Sequence, residues 1–255
     1  LSSPPPKLYL IFTFKISFKS PIFASMKGLI LISAYNAAKT LSDVLQEVSK
    51  YSELSIVVVN DGSTDNTGNI ARSQGAHVID HKVNQGKGAA LQTGFTYARK
   101  QDIDFLITLD ADKQHPVNKL NDFIQKHKEH PDSIIMGSRR RNKNMPFVRK
   151  FSNSGSAFLI SKRIGQKVYD VQCGLRLIPK RYLSWKLSKL KGFIFELEFV
   201  IIMAKNGVKF QFIPIPTLYP DQSETKMTII DSLINFIFMY FSSFFKSYKQ
   251  EKHDI

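Results

Sequence analysis

Apolar positions along this chain switch between two rhythms, short unbroken runs and runs that repeat every third or fourth residue, and the switching begins at Gly28. Gly28 to Ile32, Ser55 to Val59, His77 to Asp80, Phe105 to Asp110 and Ser133 to Met136 are short, aliphatic and bounded by polar turns. That pattern predicts strands, most of them buried on both faces. Between them, Leu41, Val44, Leu45, Val48 and Tyr51 recur at helical spacing, so Thr40 to Tyr51 reads as an amphipathic helix. A second helix starts from the capping side chains of Asn60 to Asp65 and stops at Gly75. A third opens at Gly86-Lys87-Gly88 and runs through Leu91 and Phe95 toward Lys100, a fourth follows Pro116, and a fifth covers Phe193 to Lys205, ending near Gly207. Strands alternating with helices give an α/β fold, a mostly parallel sheet flanked by helices.

The two ends read differently. After Pro4-Pro5-Pro6, the apolar stretch from Leu8 to Phe14 is too short to span a bilayer and meets Lys15 and Lys19. Residues 1–25 are therefore expected to be an N-terminal extension outside the fold, which starts at Met26. Residues 26–220 form the catalytic-sized domain, and 221–255 a C-terminal loop and amphipathic helix. Residues 229–245 are apolar except for Asp231, Asn235 and the serines, and Lys246, Lys249 and Lys252 follow. This falls short of the roughly 20 residues of a comfortable span. It suits a helix lying in a membrane interface with lysines toward anionic headgroups, or one packed on the domain or at a dimer interface.

Composition narrows the partners. The chain has 255 residues, of which 43% are hydrophobic, enough for a sizeable core. Its 36 Lys and Arg against 21 Asp and Glu give a net charge of +15, which implies an acidic partner: nucleic acid, anionic membrane or phosphorylated substrate. No nucleic-acid-reading motif accompanies the charge, so a basic nucleic-acid-binding protein is the disfavoured reading. Cys173 is the only cysteine, which excludes an internal disulfide and a cysteine-based metal site.

Chemistry concentrates where strands end. Asp110-Ala111-Asp112-Lys113-Gln114 follows the run Phe105 to Leu109 and is closed by His115-Pro116. Two carboxylates one residue apart at a strand end suit a hard divalent cation bridging to phosphates, although a solvated acidic turn has the same sequence. Tyr35-Asn36 follows the first strand and Asn60-Asp61 the second, so three polar motifs share the carboxyl end of the sheet, where open α/β sheets bind ligands. Gly86-Lys87-Gly88 lacks the spacing of a Walker loop, and no Gly-x-Gly-x-x-Gly follows the first strand. A P-loop ATPase and a dinucleotide oxidoreductase are thereby disfavoured.

Ser33 to Asn36, Asn60 to Asp65, Asn84 to Gly88, Asp110 to Pro116, Gly137-Ser138-Arg139 and Asp170 to Gly174 occur in an ordered series. The series resembles the family 2 glycosyltransferases, in particular the dolichyl-phosphate mannosyl- and glucosyltransferases and bacterial polyprenyl-phosphate relatives. The resemblance spans roughly Met26 to Ile215. It implies a GT-A fold, an Mg²⁺ or Mn²⁺ cofactor and inverting transfer of a hexose, mannose or glucose, from a UDP- or GDP-sugar to a polyprenyl or dolichyl phosphate. A saccharide or lipopolysaccharide acceptor is the alternative within the family. A silent sugar-nucleotide-binding protein is disfavoured, because the metal ligands are present.

Carried over by position, the resemblance implies Asp110, Asp112 and Gln114 around the metal, with Asp110 and Ala111 also beside the nucleotide sugar. Tyr35, Asn36 and Asp61 would hold the nucleoside, and Lys87 the base or phosphates. Arg139, Arg149 and Lys226 would cradle the acceptor phosphate, and Asp112 and Asp170 would be the catalytic carboxylates, Asp170 reading equally as a turn residue. His115 is expected to fix its loop and Cys173 to be a packed thiol. Glu196 and Glu198, in a strongly apolar helix, should each reach a cavity, a partner or the site, and a structural ion pair with such a partner is expected over a catalytic role. Ser33, Ala37 and Asn60 stand where relatives commonly carry proline, glutamate and aspartate. The protein is expected at the cytoplasmic face of a membrane, held peripherally, as a homo-oligomer or with a membrane partner subunit.

Overall fold

The computed structural model describes residues 26–139, 147–184, 193–218 and 240–241, without the side chains of 147–154 and 193–194. Seven strands form one sheet: β1 (Gly28–Ala34), β2 (Ser55–Asn60), β3 (His77–Asp80), β4 (Phe105–Asp110), β5 (Ser133–Arg139), β6 (Arg176–Pro179) and β7 (Lys209–Ile215). Their spatial order is β3-β2-β1-β4-β6-β5-β7. β6 runs antiparallel to β4 and β5, and every other pairing is parallel. The described helices are α1 (Leu41–Tyr51), α2 (Thr67–Ser73), α3 (Lys87–Arg99), α4 (Leu120–Glu129), α5 (Phe147–Ile164) and α6 (Phe193–Lys205).

The period of two along each strand assigns its side chains to two separate cores. Leu29, Leu31, Val57, Val59 and Leu106 face one side, under Leu91 and Phe95 of α3 and Phe195, Phe199 and Met203 of α6. Ile30, Ile32, Val58, Ile107 and Leu109 face the other, under Leu41, Val44, Leu45 and Val48 of α1 and Leu120 and Phe123 of α4. The helical spacing in α1 that the sequence showed is thus the stripe it buries.

Register decides where chemistry can gather. Ser33 pairs with Asp110 and Ala34 with Asn60, so the loops after β1, β2 and β4 leave the sheet side by side. Because β6 is antiparallel, its first residue, Arg176, pairs with Thr108 of β4 and Met136 of β5. The segment entering β6, Asp170 to Gly174, therefore arrives at that same end, opposite Arg139 at the end of β5.

No helix among the described residues is long and apolar enough to cross a membrane. Residues 1–25 lie outside the described residues, as does the 229–245 helix apart from Tyr240 and Phe241. Tyr240 packs against the core under α3 and α6, with Phe241 largely exposed beside it.

Gly94 shows how tightly α3 lies on β1. A Cβ there would sit 2.3 Å from both terminal methyl groups of Leu31. Alanine in an exposed helix is worth about 1 kcal/mol more than glycine, but here overpacking opposes it. Gly94→Ala is expected to lower the stability by about 1 kcal/mol or more in urea denaturation; a gain in midpoint would contradict this packing.

Candidate active site

The loop after β2 is built around a buried carboxylate. Asp61 is 2% exposed, and its oxygens accept the backbone N–H groups of Gln85 at 2.9 Å and Gly86 at 2.7 Å. His81 Nδ1 lies 2.7 Å from the same carboxylate, and its Nε2 is 2.9 Å from Thr93 Oγ1 on α3. Asp61 thus fastens the turn that begins α3, where a negative charge is also favoured by the helix dipole. Its carboxylate, which the resemblance assigns to a nucleoside, also binds the protein's own Gln85, Gly86 and His81.

The loop after β1 leans on the loop after β2. Asn36 adopts a left-handed backbone with φ of 48°, which asparagine tolerates better than most residues. Its side-chain oxygen accepts the Thr64 N–H at 2.8 Å, and its own N–H donates to Ser63 Oγ at 3.0 Å. Ala37 N–H donates to Thr67 Oγ1 at 2.8 Å, and Ala38 N–H to Asp65 at 3.0 Å. Tyr35, 40% exposed, is left at the mouth of this pair of loops.

The first residue of α3, Lys87, reaches across to the end of β4. Its Nζ lies 2.8 Å from Asp110 Oδ1 and 2.7 Å from Glu196 Oε1 on α6. The second Asp110 oxygen is 3.0 Å from His115 Nε2. Burial pulls the lysine pKa down, but the two carboxylates outweigh it and hold Lys87 above the ordinary lysine range. Burial raises the pKa of Asp110, yet Lys87 and His115 drive it far below the ordinary carboxylate range. Burial likewise disfavours a charged His115, but its bond to Asp110 and the neighbouring Cys173 push it up to about 10. Asp110 is held between the Lys87 ammonium and the His115 ring.

Asp112 is shifted the opposite way. Half-buried and close to the Asp110 charge, its carboxyl is raised above the ordinary range, with the Gln114 N–H, donated to Oδ1 at 3.0 Å, acting against the shift. The turn between them includes Lys113 at φ 64°, an uncommon backbone for lysine. Thr40 Oγ1 donates to the Ala111 carbonyl at 2.6 Å, and Lys113 pairs with Asp43 of α1 at 2.6 Å, so the turn is tied to α1. Among the described residues no group of three His, Cys, Asp or Glu side chains comes together to hold a metal. The donor set still fits one: Mg²⁺-like ions take one or two carboxylates and complete their shell with water and substrate phosphates. A raised carboxyl beside an ionised one is what such a cation relieves.

Behind Asp110, Thr108 Oγ1 donates to the Gly174 carbonyl at 2.6 Å. A Cβ on Gly174 would lie 2.4 Å from Asp110 Oδ2, so only glycine lets the two strand ends approach this closely. Four residues before Gly174, Asp170 meets Arg139. Arg139 Nε donates at 2.6 Å and Nη2 at 3.0 Å to its two oxygens, and the Gln172 N–H adds a third bond at 3.0 Å. Asp170 thus holds the Arg139 guanidinium by a two-point ion pair at the rim of the site.

Of the residues singled out in the sequence, Tyr35, Asn36, Asp61, Lys87, Asp110, Ala111, Asp112, Gln114, Arg139 and Asp170 come together at one end of the sheet. Arg149 lies on α5 with its side chain outside the described residues, and so does the whole of Lys226. Glu196 was expected in a structural ion pair and was not assigned to the site. It is in an ion pair, but its partner is Lys87, which places it in the site itself. The signal in the sequence was the cost of a carboxylate inside an apolar helix, which shows that a partner exists but not where.

The family described as glycosyl transferase family 2 matches residues 29–184. The UDP-N-acetylglucosamine–dolichyl-phosphate N-acetylglucosaminyltransferase of Methanococcus voltae is 30% identical over 234 residues, covering 83% of this chain and 92% of that protein. The undecaprenyl-phosphate mannosyltransferase of Micrococcus luteus is 25% identical over 216 residues, 80% of this chain and 88% of its own. Among solved structures, glucosyl-3-phosphoglycerate synthase of Mycobacterium tuberculosis with Mn²⁺, UDP-glucose and phosphoglyceric acid superposes with a TM-score of 0.67. It is 17% identical, over 86% of this chain and 80% of that one, and shares the GT-A fold. The same synthase has been crystallised with Mg²⁺ and UDP.

The Arg139–Asp170 pair predicts acid behaviour. Burial raises the Asp170 pKa, but the guanidinium and the backbone N–H groups hold it below the ordinary value. A depressed folded pKa stabilises above the unfolded pKa and stops doing so as pH falls through the folded one. Asp170→Asn is expected to cost about 3 kcal/mol near neutral pH. Urea unfolding at neutral pH and below the ordinary carboxylate pKa should show that gap narrowing in acid; a constant gap would contradict the assignment.

Proposed function

The chain belongs to glycosyl transferase family 2 and is a glycosyltransferase, and from that premise we propose that it moves a hexose, mannose or glucose, from a UDP- or GDP-sugar to a polyprenyl or dolichyl phosphate. The observation that carries the reading is the pair of carboxylates at the end of β4, Asp110 beside Lys87 and Asp112 on a turn tied to α1. Support for the acceptor class comes from relatives in archaea and bacteria whose names carry dolichyl and undecaprenyl phosphate, each matched over most of its length.

In this reading Asp110, Asp112 and Gln114 hold Mg²⁺ or Mn²⁺ with the donor diphosphate. A cation held there would supply positive charge against the charge that builds on the departing nucleotide. Lys87, fixed at the start of α3, contributes a second positive charge beside Asp110. Tyr35 and the Asn36 loop, braced by Ser63 and Thr64, border the nucleoside. Ala111 is buried and offers its backbone at the same turn, with its carbonyl held by Thr40.

A phosphate acceptor is already anionic near neutral pH, so the attacking oxygen needs alignment more than proton removal. Arg139 supplies positive charge at the rim, and Asp170 fixes the guanidinium by a two-point contact. Asp170 therefore orients the acceptor through Arg139. Arg149 and Lys226 complete the proposed cradle. We place the enzyme peripherally at the cytoplasmic face of a membrane, where a lipid phosphate is presented at the surface and the net charge of +15 favours anionic headgroups.

Transfer from a panel of labelled UDP- and GDP-sugars to short-chain polyprenyl phosphate should give a chloroform-soluble product that EDTA abolishes. Asp112→Ala should lower the rate by about a hundredfold or more. Product with a free glycan and none with lipid phosphate would move the acceptor to a saccharide, and an unimpaired Asp112→Ala enzyme would remove the carboxylate from the metal.

A further inference from the structure

Glu196 holds an unused buried acceptor. Its side chain is 1% exposed; Oε1 takes the Lys87 ammonium, while Oε2 is buried with no hydrogen-bond partner among the described residues. Glu196 lines a small, partly open pocket together with Lys87, Thr108, Asp110, Gly174 and Arg176. A buried carboxylate oxygen left unpaired is costly, and a static ion pair with Lys87 gives no reason to keep one.

Asp110 has the opposite condition. Both of its oxygens already have partners, the Lys87 ammonium at 2.8 Å and His115 Nε2 at 3.0 Å. A dication approaching this carboxylate meets one already neutralised, and like charges must separate before Asp110 can bind it. Lys87 is the donor with somewhere to go. Its ammonium already touches Glu196, a lysine stem rotates freely, and both carboxylates line the same pocket. Besides Lys87, Arg139 is near enough to feel the Glu196 charge while bonded to Asp170, and Arg176 lines the same pocket. Arg176 is committed to the carbonyls of Cys173 and Val171.

We propose that Glu196 is the residue onto which Lys87 withdraws when Asp110 takes a divalent cation, so that α6 sets how tightly the site binds metal. The proposal rests on the cation-dependent reading above. Glu196 is a positioning residue in it, acting on the cation only through Lys87. With Glu196 neutralised, the ammonium stays on Asp110 and competes with the metal.

Binding of Mn²⁺ to the full chain with UDP or GDP, followed by the electron paramagnetic resonance of free Mn²⁺, tests this without turnover. Glu196→Gln should weaken Mn²⁺ binding on the order of 10- to 100-fold, the scale on which residues behind a metal ligand act. In a Lys87→Gln background, where no ammonium competes, the same substitution should shift the affinity by less than about threefold, the scatter of uncoupled sites. An unchanged affinity in Glu196→Gln overturns the proposal. So does an equal loss in both backgrounds, which is a through-space charge effect. If Lys87→Gln does not fold, Glu196→Asp decides: it keeps the charge but shortens the reach, so weakened binding supports the withdrawal and unchanged binding overturns it. A wild-type chain that binds no Mn²⁺ with either nucleotide overturns the cation reading as well, which separates that failure from failure of the Glu196 role alone.

Discussion

The interaction on which the rest of the site depends is the ion triad of Asp110, Lys87 and Glu196. Three elements distant in sequence, β4, α3 and α6, meet in it, and two of its members are carboxylates that cannot be left unpaired away from water. Lys87 pairs with both at once, so the start of α3 must lie between the end of β4 and the inner face of α6. Asp61 serves that requirement from the other side by fastening Gln85 and Gly86, the two residues before Lys87. Gly174 serves it from below, since any side chain there would displace Asp110. Much of what lies between Asp61 and Gly174 can be understood as holding one ammonium in place.

The half of the fold that contains most of these parts was legible in the sequence, for a physical reason. β1, β2 and β4 are central strands buried on both faces, so they read as unbroken aliphatic runs, and α1 buries a single stripe, so it reads as a clean helical period. β6 and β7 gave no such signal. β6 is four residues long and begins with Arg176, buried by bonds to two backbone carbonyls and stacked on Phe199, which no hydropathy pattern announces. β7 interleaves Lys209, Gln211 and Pro214 with its apolar positions, as an edge strand tolerates. α5 mixes serine, glycine and lysine along its length and has no sharp apolar stripe.

The site divides the same way. Short-range motifs located Asp110 to Gln114 correctly at a strand end, because a strand followed by a polar turn is a local signature. Pairings across the chain were beyond it. Arg139 with Asp170 and Lys87 with Glu196 are separated by 31 and 109 residues, and only the antiparallel entry of β6 and the crossing of α6 bring them together. The motif containing Asp61 was found, but whether its carboxylate faces outward or is spent on backbone N–H groups is a matter of a few ångströms that spacing does not encode.

The position of Asn60, where the family resemblance led us to expect aspartate, follows from the same accounting of buried charge. Asn60 is 8% exposed; its amide nitrogen donates to Asp80 Oδ1 at 2.8 Å, and its oxygen accepts the Ser63 N–H at 3.3 Å. Asp80 gives its other oxygen to Arg72 of α2. An aspartate at 60 would set a second carboxylate against Asp80 at hydrogen-bond distance, with one arginine to serve both, and would lose the donor. An amide fills both roles without adding charge. The departure is thus matched by the Asp80–Arg72 pair on β3 and α2, on the side of the loop away from Lys87 and Asp110, and it leaves the charge balance of the proposed sugar-transfer site untouched.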